Sequence, residues 1–327
     1  MCTCDPLLWQ LLSLVDFIPH PPPPSKRRRG CPVTYPDSLF LKILLLMVLR
    51  RFFKVHEVHA FLSQQSAEID GLRALLFPDG KVPSRRTVER RMKQLPESLP
   101  ERIALLGEHL VELFQPWQRS ARAVAMDSTV LRACGAPWHM KDRRAGRVPN
   151  TSIDTHAHWT HSSWHGWTYG YKLHLAVSMS TVWIPLAAEF KPANEADNTV
   201  AEELISAVLS YVKFFCGDSA YNCPNVHDAA ENRGAMVVAS SRAKGPRTDS
   251  GVEVRKIIHA LRHHTIENFN GLYKNIFDAR RPLPTKGLVN GKRFTLGCVF
   301  AYQIILLLRH QRGEFDQTNI KALLRSA

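Results

Sequence analysis

The sequence predicts an α/β protein in which a mixed five-stranded sheet is flanked by helices and preceded by a small all-α, helix-turn-helix-like amino-terminal domain. Three observations point there. From Pro36 to about Trp117 apolar residues recur at helical spacing. From Arg122 onward short apolar runs alternate with helical patterns, in the order strand, hairpin, helix, strand, helix, strand, helix. Aspartates stand inside one of those strands, where aspartate is depleted, and at the end of another, where it either caps the next turn or lies at the mouth of a site.

Composition bounds the function. At 327 residues and 45% hydrophobic content the chain can bury a substantial core, which excludes a disordered protein. Lys and Arg exceed Asp and Glu by 43 − 29 = 14, so the surface field favours a polyanion, with nucleic acid first and an anionic membrane second. The apolar runs 39–49 and 294–308 fall short of the ~20 residues that span a bilayer, so no membrane partner is expected. Seven scattered cysteines suit reduced thiols in a cytoplasm better than a disulfide framework. No signal-peptide pattern opens the chain.

Residues 1–30 read as an amino-terminal arm and linker. A helix-like LLWQLLSLV is followed by a stiff proline run and the basic block Lys26 to Arg29, suited to touching phosphates. Residues 31–120 read as a helical DNA-binding domain. Its informative segment is VPSRRTVERRMKQL, with Ser84 as N-cap and a helix from Arg85 to about Leu95. Val88, Met92 and Leu95 fall on one face, and Arg86, Arg90 and Lys93 on the other. An apolar stripe for the core and a basic stripe for a groove is the pattern of a DNA-reading helix; a solvated surface helix has the same pattern. A further helix spans Arg102 to Phe114.

Residues 121–312 read as the sheet domain, with 313–327 as a carboxyl-terminal tail. The strand RAVAMDSTVL carries Asp127 among small residues. A basic loop follows, with Lys141, Arg143 and Arg144 fit for phosphate contact. The stretch 154–177 is rich in His and Trp, yet no cysteine lies among them and the spacing matches no standard zinc finger. Gly170 to Ser178 and Val182 to Phe190 form a hairpin whose Lys172 is expected at DNA, its aromatics packing at the edge or stacking on unpaired bases. After a helix begun at Asp197 or Asn198, the apolar run VKFFCGDSA delivers Asp218 at a strand end. An aspartate there either caps the next turn or lies at the mouth of a site. Helix 225–233 and strand 235–240 come next. In TIENFNGLYKNIFDA the apolar stripe is bordered by Glu267, Asn270 and Lys274. A Pro/Gly-rich basic loop, 280–293, leads to a buried closing helix, 294–308.

Strand-borne Asp127, strand-end Asp218 and helix-borne Glu267 in this element order suggest an RNase H-like layout. Three hard oxygen donors without soft ligands favour Mg²⁺, or Mn²⁺. Two such ions suit in-line phosphodiester displacement by water or a 3′-hydroxyl.

At this point the chain resembles the DDE transposases of bacterial insertion sequences, over roughly Arg122 to Leu308. The resemblance is carried by AMDST, SIDTHAHWTHSSWHGWTYGYKLHL, PANEADN, FFCGDSAY and IENFNGLYK. It implies Asp127, Asp218 and Glu267 as catalytic, metal-binding triad, recognition of terminal inverted repeats, 3′-end cleavage and strand transfer. It also implies double-stranded DNA, both transposon ends and target, as partner, a homodimer in the DNA complex, and a bacterial cytoplasmic, nucleoid-associated location. The family often shows Tyr, two residues, Arg, three residues, Glu, six residues, Lys. Aligned on Glu267, Lys274 is kept, while His263 stands at the Arg position with Arg262 beside it, and Ala260 at the Tyr position. Arg262, His263 and Lys274 are therefore expected at DNA. Only 267 − 241 = 26 positions separate the last strand from Glu267, too few for the β-insertion some relatives carry. The rival readings are an inactive or domesticated transposase-derived DNA-binding protein, and a plain nuclease of the same fold.

Overall fold

The computed structural model describes residues 6–22, 34–114, 123–148, 151–162, 166–208, 211–240 and 249–326. The basic block Lys26 to Arg29 lies outside them.

Leu8, Leu11 and Leu12 share one face of α1 (Pro6–Leu14), which lies buried against α2 (Asp37–Leu49) rather than standing off as an arm. Helix α2 is apolar all round and is buried all round; its one cation, Lys42, pairs with Asp16 at 2.6 Å. Two short helices follow, α3 (Val55–Leu62) and α4 (Ala67–Leu76). Helix α4 was not expected, because Gly71 interrupts a stripe of just Ile69, Leu72 and Leu76.

The helix expected to stop near Leu95 continues: α5 runs from Arg85 to Phe114 through Pro96 and Pro100, uniting two predicted helices. Each interior proline costs about 3 kcal/mol. Val88, Met92, Leu95, Leu99, Ile103, Leu106 and Leu110 are all buried on the same helix, at about 1.5–3 kcal/mol each, so packing outweighs the two breaks.

The rest of the chain is β1 (Ala123–Arg132), a single-turn α6 (Met140–Arg144) where a loop was expected, β2 (His158–Ser162), β3 (Gly166–Ser178), β4 (Pro185–Pro192), α7 (Asp197–Ala207), β5 (Phe214–Gly217), α8 (Pro224–Glu231), β6 (Met236–Ala239), α9 (Asp249–Arg262), α10 (Asn268–Ile276), α11 (Leu288–Gln311) and α12 (Ile320–Ser326). A 3₁₀ turn, Ser219–Tyr221, follows β5, and a π-helical turn, His263–Glu267, joins α9 to α10.

The sheet has the RNase H-like order β4-β3-β1-β5-β6, antiparallel across β4, β3 and β1 and parallel across β1, β5 and β6. Among the described residues it has six strands, not five. The sixth, β2, pairs with the outer end of β3, and its polar residues on both faces hid it; Trp159 against Tyr169 and His161 against Trp167 hold it there.

Helix α11 begins six residues earlier than expected and, at 24 residues, is long and apolar enough to cross a membrane. It is instead the central core helix, packed on α5, β4 and α2. Its buried Gln303 donates to Ile103 O and Pro185 O, both at 2.8 Å, tying α5 to the start of β4. At that crossing a side chain on Gly107 would come within 2.4 Å of Pro185 O.

Candidate active site

Strands β1 and β5 run parallel with Ala125 opposite Cys216. Carried two residues past that last pair, 127 − 125 = 218 − 216, the register sets Asp127 of β1 beside Asp218, just beyond the end of β5. Side chains alternate across a sheet, so Asp127 shares a face with its β3 partner Leu175, while Ser128 and His174 point the other way. Small residues make this end of the sheet possible. Gly217 passes so close to Tyr221 that a Cβ would lie 2.6 Å from the ring.

Asp218 fills the capping role as well. Its carboxylate accepts from Ala220 N at 2.8 Å and starts the 3₁₀ turn. The cap engages Oδ1 and leaves Oδ2 for other partners.

Asp127 accepts from Asn270 Nδ2 at 3.2 Å, which fastens α10 over β1. Burial pushes its carboxyl up to about 7; Asp218 and Asp197 push the same way, opposed chiefly by the Arg262 guanidinium. Tyr221, wholly buried, feels Asp197, Asp127 and Asp218, and burial drives its hydroxyl well above the ordinary range.

Glu267 stands at the end of the π-helical turn and is engaged elsewhere. His263 Nδ1 lies 2.8 Å and Arg262 Nη2 3.6 Å from its Oε1. In a π turn the residue five positions back stacks where the fourth would stack in an α-helix. Both side chains therefore reach Glu267, His263 from four positions back and Arg262 from five. Arg262 is 6% exposed and also faces Asp127 and Cys216, so it looks inward to the carboxylates rather than out to a ligand surface. Among the described residues no three His, Cys, Asp or Glu side chains stand together as a finished metal cage.

The donor chemistry nonetheless fits a hard divalent cation. Asp127 lies near enough to Asp218 to feel its charge, and the buried Asn270 Oδ1 has no hydrogen-bond partner. Neighbouring carboxylates, one of them strongly desolvated, are favoured in their charged form by a cation between them.

The other expected residues divide. Arg86, Arg90 and Lys93 are all exposed on α5, with Val88, Met92 and Leu95 buried behind them. Lys141 and Arg144 are exposed on α6. Arg143 is half-buried, bonded to Ala157 O at 3.0 Å and His158 Nε2 at 2.6 Å and lying over the Trp138 ring. Lys172 is held by Asp197 Oδ1 at 2.9 Å and Glu195 O at 3.0 Å. His263 is exposed. Lys274 is half-buried; burial and Arg280 lower its ammonium pKa while Asp127 draws it up.

Three neighbours of the site were not picked out as such from the sequence: Asn270, Asp197 and Tyr221. Asn270 had a signal, since it lies one turn beyond Glu267 on the same helical side. Asp197, expected as a helix cap, is the first residue of α7 after an Ala196 cap.

Residues 118–304, more than half of the chain, match the transposase DDE domain. The chain belongs to that family. Proteins of this family generally use divalent metal ions, in keeping with the oxygen donors at Asp127 and Asp218. Two solved structures resemble this DDE-family chain weakly: a Mos1 transposase paired-end complex with left transposon end (16% identity, 88% of this chain and 80% of that one, TM-score 0.22) and a pre-cleavage Mos1 transpososome (14%, 88% and 81%, 0.21). No curated protein matches the chain.

Proposed function

We propose that this transposase binds the terminal inverted repeats of an insertion sequence and catalyses metal-dependent DNA cleavage and strand transfer. The observation that carries the reading is the convergence of Asp127 and Asp218, from strands far apart in sequence, at one end of the sheet beneath the Asn270 amide. Those two carboxylates, joined by Glu267, would hold Mg²⁺ or Mn²⁺, two ions in the complete site. When bound, such ions polarise the phosphodiester and ready a water or 3′-hydroxyl for in-line attack.

The chain's own residues prepare that site. Asn270 orients the Asp127 carboxylate, and the Ala220 amide fixes the rotation of Asp218. Arg262 neutralises part of the negative charge from the inner side, while His263 holds Glu267 one turn away. Lys274, beside Asp127, is placed to meet a phosphate that approaches the carboxylates. Residues 31–120 supply the reading helix: Arg86, Arg90 and Lys93 present three cations toward DNA, and Lys141 and Arg144 extend the phosphate contacts. Arg143 and Lys172 brace the sheet from their internal bonds. A homodimer would hold the two ends together, in the bacterial nucleoid.

The test is nicking of duplex DNA carrying the element's ends, with Mg²⁺, by the native chain and by Asp218→Ala. Loss of nicking in the variant with end binding kept supports the reading. Equal behaviour of the two leaves only a DNA-binding protein, and equal cutting of arbitrary duplexes leaves a plain nuclease.

A further inference from the structure

The segment 192–198, PANEADN, holds a carboxylate that the proposed reaction leaves without a part. Asp197 is the first residue of α7 and is 20% exposed. Its Oδ1 accepts from Lys172 Nζ at 2.9 Å and lies 3.6 Å from Nδ1 of His174. Both partners belong to β3, where they pair with Val130 and Ser128 of β1. Asp197 therefore sits behind the strand, on the face of the sheet opposite Asp127.

The start of α7 also grips the turn that follows Asp218. Helix α7 packs on the Ser219–Tyr221 turn and on α8, and Asn225 Nδ2 donates to Asn198 O at 3.2 Å and to Glu202 Oε1 at 3.1 Å. Asp197 stands where β3 meets the turn beyond β5, the junction that sets Asp127 beside Asp218.

Two fully buried polar groups border this junction without a hydrogen-bond partner, the His174 ring at both nitrogens and the Tyr221 hydroxyl. Tyr221 lies among three carboxylates: beyond its burial it feels Asp197 first, then Asp127 and Asp218. Burial raises the Asp127 carboxyl, and Asp197 adds to that rise from across the sheet. An apolar pair of similar volume would fasten β3 to α7 as firmly as the Lys172–Asp197 ion pair does. What the charged pair adds is a field at the neighbouring carboxylates.

We propose that Asp197 is a fourth carboxylate of the candidate site, a positioning residue that does not ligate the divalent cation but draws it by charge toward Asp127 and Asp218. Lys172 sets how much of that charge the cation feels. The inference rests on the metal-dependent reading, since it requires a cation at those two aspartates.

The experiment is Mn²⁺ uptake, read from the paramagnetic resonance of the free ion at fixed pH and ionic strength without DNA, in the native chain, Asp197→Asn, Lys172→Gln and the double variant. Both substitutions keep a hydrogen-bonding side chain of similar length, and urea unfolding reports which chains are folded. Asp197→Asn should weaken uptake about tenfold and Lys172→Gln should tighten it by a similar factor, as one charge acting at an effective dielectric constant of about 20 would do. The double variant, its net charge restored, should return close to the native affinity. Any three folded chains of the four give both signs. Weaker uptake in both single variants is the result of a merely structural bond and would overturn the inference. So would native affinity in Asp197→Asn, or an equal shift in Lys191→Gln, the control for net charge, whose bond to Glu203 lies at the exposed surface. Failure of the native chain to take up Mn²⁺ would sink the metal-dependent reading itself.

Discussion

The Asn270 amide and the Asp127 carboxylate, 143 positions apart, are joined by a hydrogen bond of 3.2 Å. This bond docks α10 on β1 and sets the distance between the helix that carries Glu267 and the strand that carries Asp127. Truncating Asn270 leaves a buried carboxylate with one partner fewer, at a cost of about 1–3 kcal/mol. Asn270→Ala should therefore lower the urea midpoint of unfolding. Asn270→Asp, which adds a negative charge beside Asp127, should lower it further, and Mg²⁺ should restore more of the loss in the Asp variant than in the Ala variant.

Gly217 is the second fixed point. A methyl group there would meet the buried Tyr221 ring at 2.6 Å, and neither the ring nor the β5 backbone has room to yield. Gly217→Ala should destabilise the fold by about 1–3 kcal/mol, as overpacked positions do. Thermal unfolding would report it, and nicking should fall with it because Asp218 is the next residue.

His174 provides a pH signature away from the carboxylate pair. It is fully buried, with no hydrogen-bond partner on either ring nitrogen. Burial pushes its imidazole down to about 4; Asp197, 3.6 Å away, opposes this, while Lys172 and Lys191 add to it. The folded pKa is below the unfolded value of 6.5, so between those limits the unfolded chain binds more protons than the folded one. Stability from this residue is present above pH 6.5 and is lost as the pH falls toward about 4, by up to about 3 kcal/mol. Asp127, its carboxyl pushed up to about 7, works the other way over the same window, so the signature is the difference between chains: as the pH falls from 6.5 toward 4, the urea midpoint of His174→Leu should rise relative to that of the native chain.

On the reading helix, Arg86→Ala together with Arg90→Ala should weaken binding to transposon ends and flatten its salt dependence, since both side chains are exposed and available for phosphate. Unchanged affinity and slope would remove α5 from the DNA interface.

Much of this was legible in the sequence because the strands announce themselves by what does not belong in them. Asp127 in a strand and Asp218 at a strand end each break the β pattern, and the parallel register then places them side by side. The paired faces of α5 were equally readable from spacing. Its length was not, because proline rules are local while the packing against α11 and β4 that overrides them joins residues some 200 positions apart. Strand β2 was hidden because polar residues stand on both its faces, and its aromatic partners were read as edge packing without the strand beneath. The sharpest gap concerns Glu267. Helical spacing fixed its face but not the π turn, from which Arg262 as well as His263 reaches the carboxylate.

The central claim is that two aspartates and a glutamate bind divalent ions together. Mn²⁺ binding, read by the paramagnetic resonance signal of free Mn²⁺ in the presence of duplex DNA, tests it most directly. The account predicts that the native chain takes up two ions, that Asp127→Ala and Asp218→Ala lose both, and that Glu267→Ala weakens uptake without abolishing it. Uptake that is the same in the native chain and in Asp127→Ala would contradict the claim.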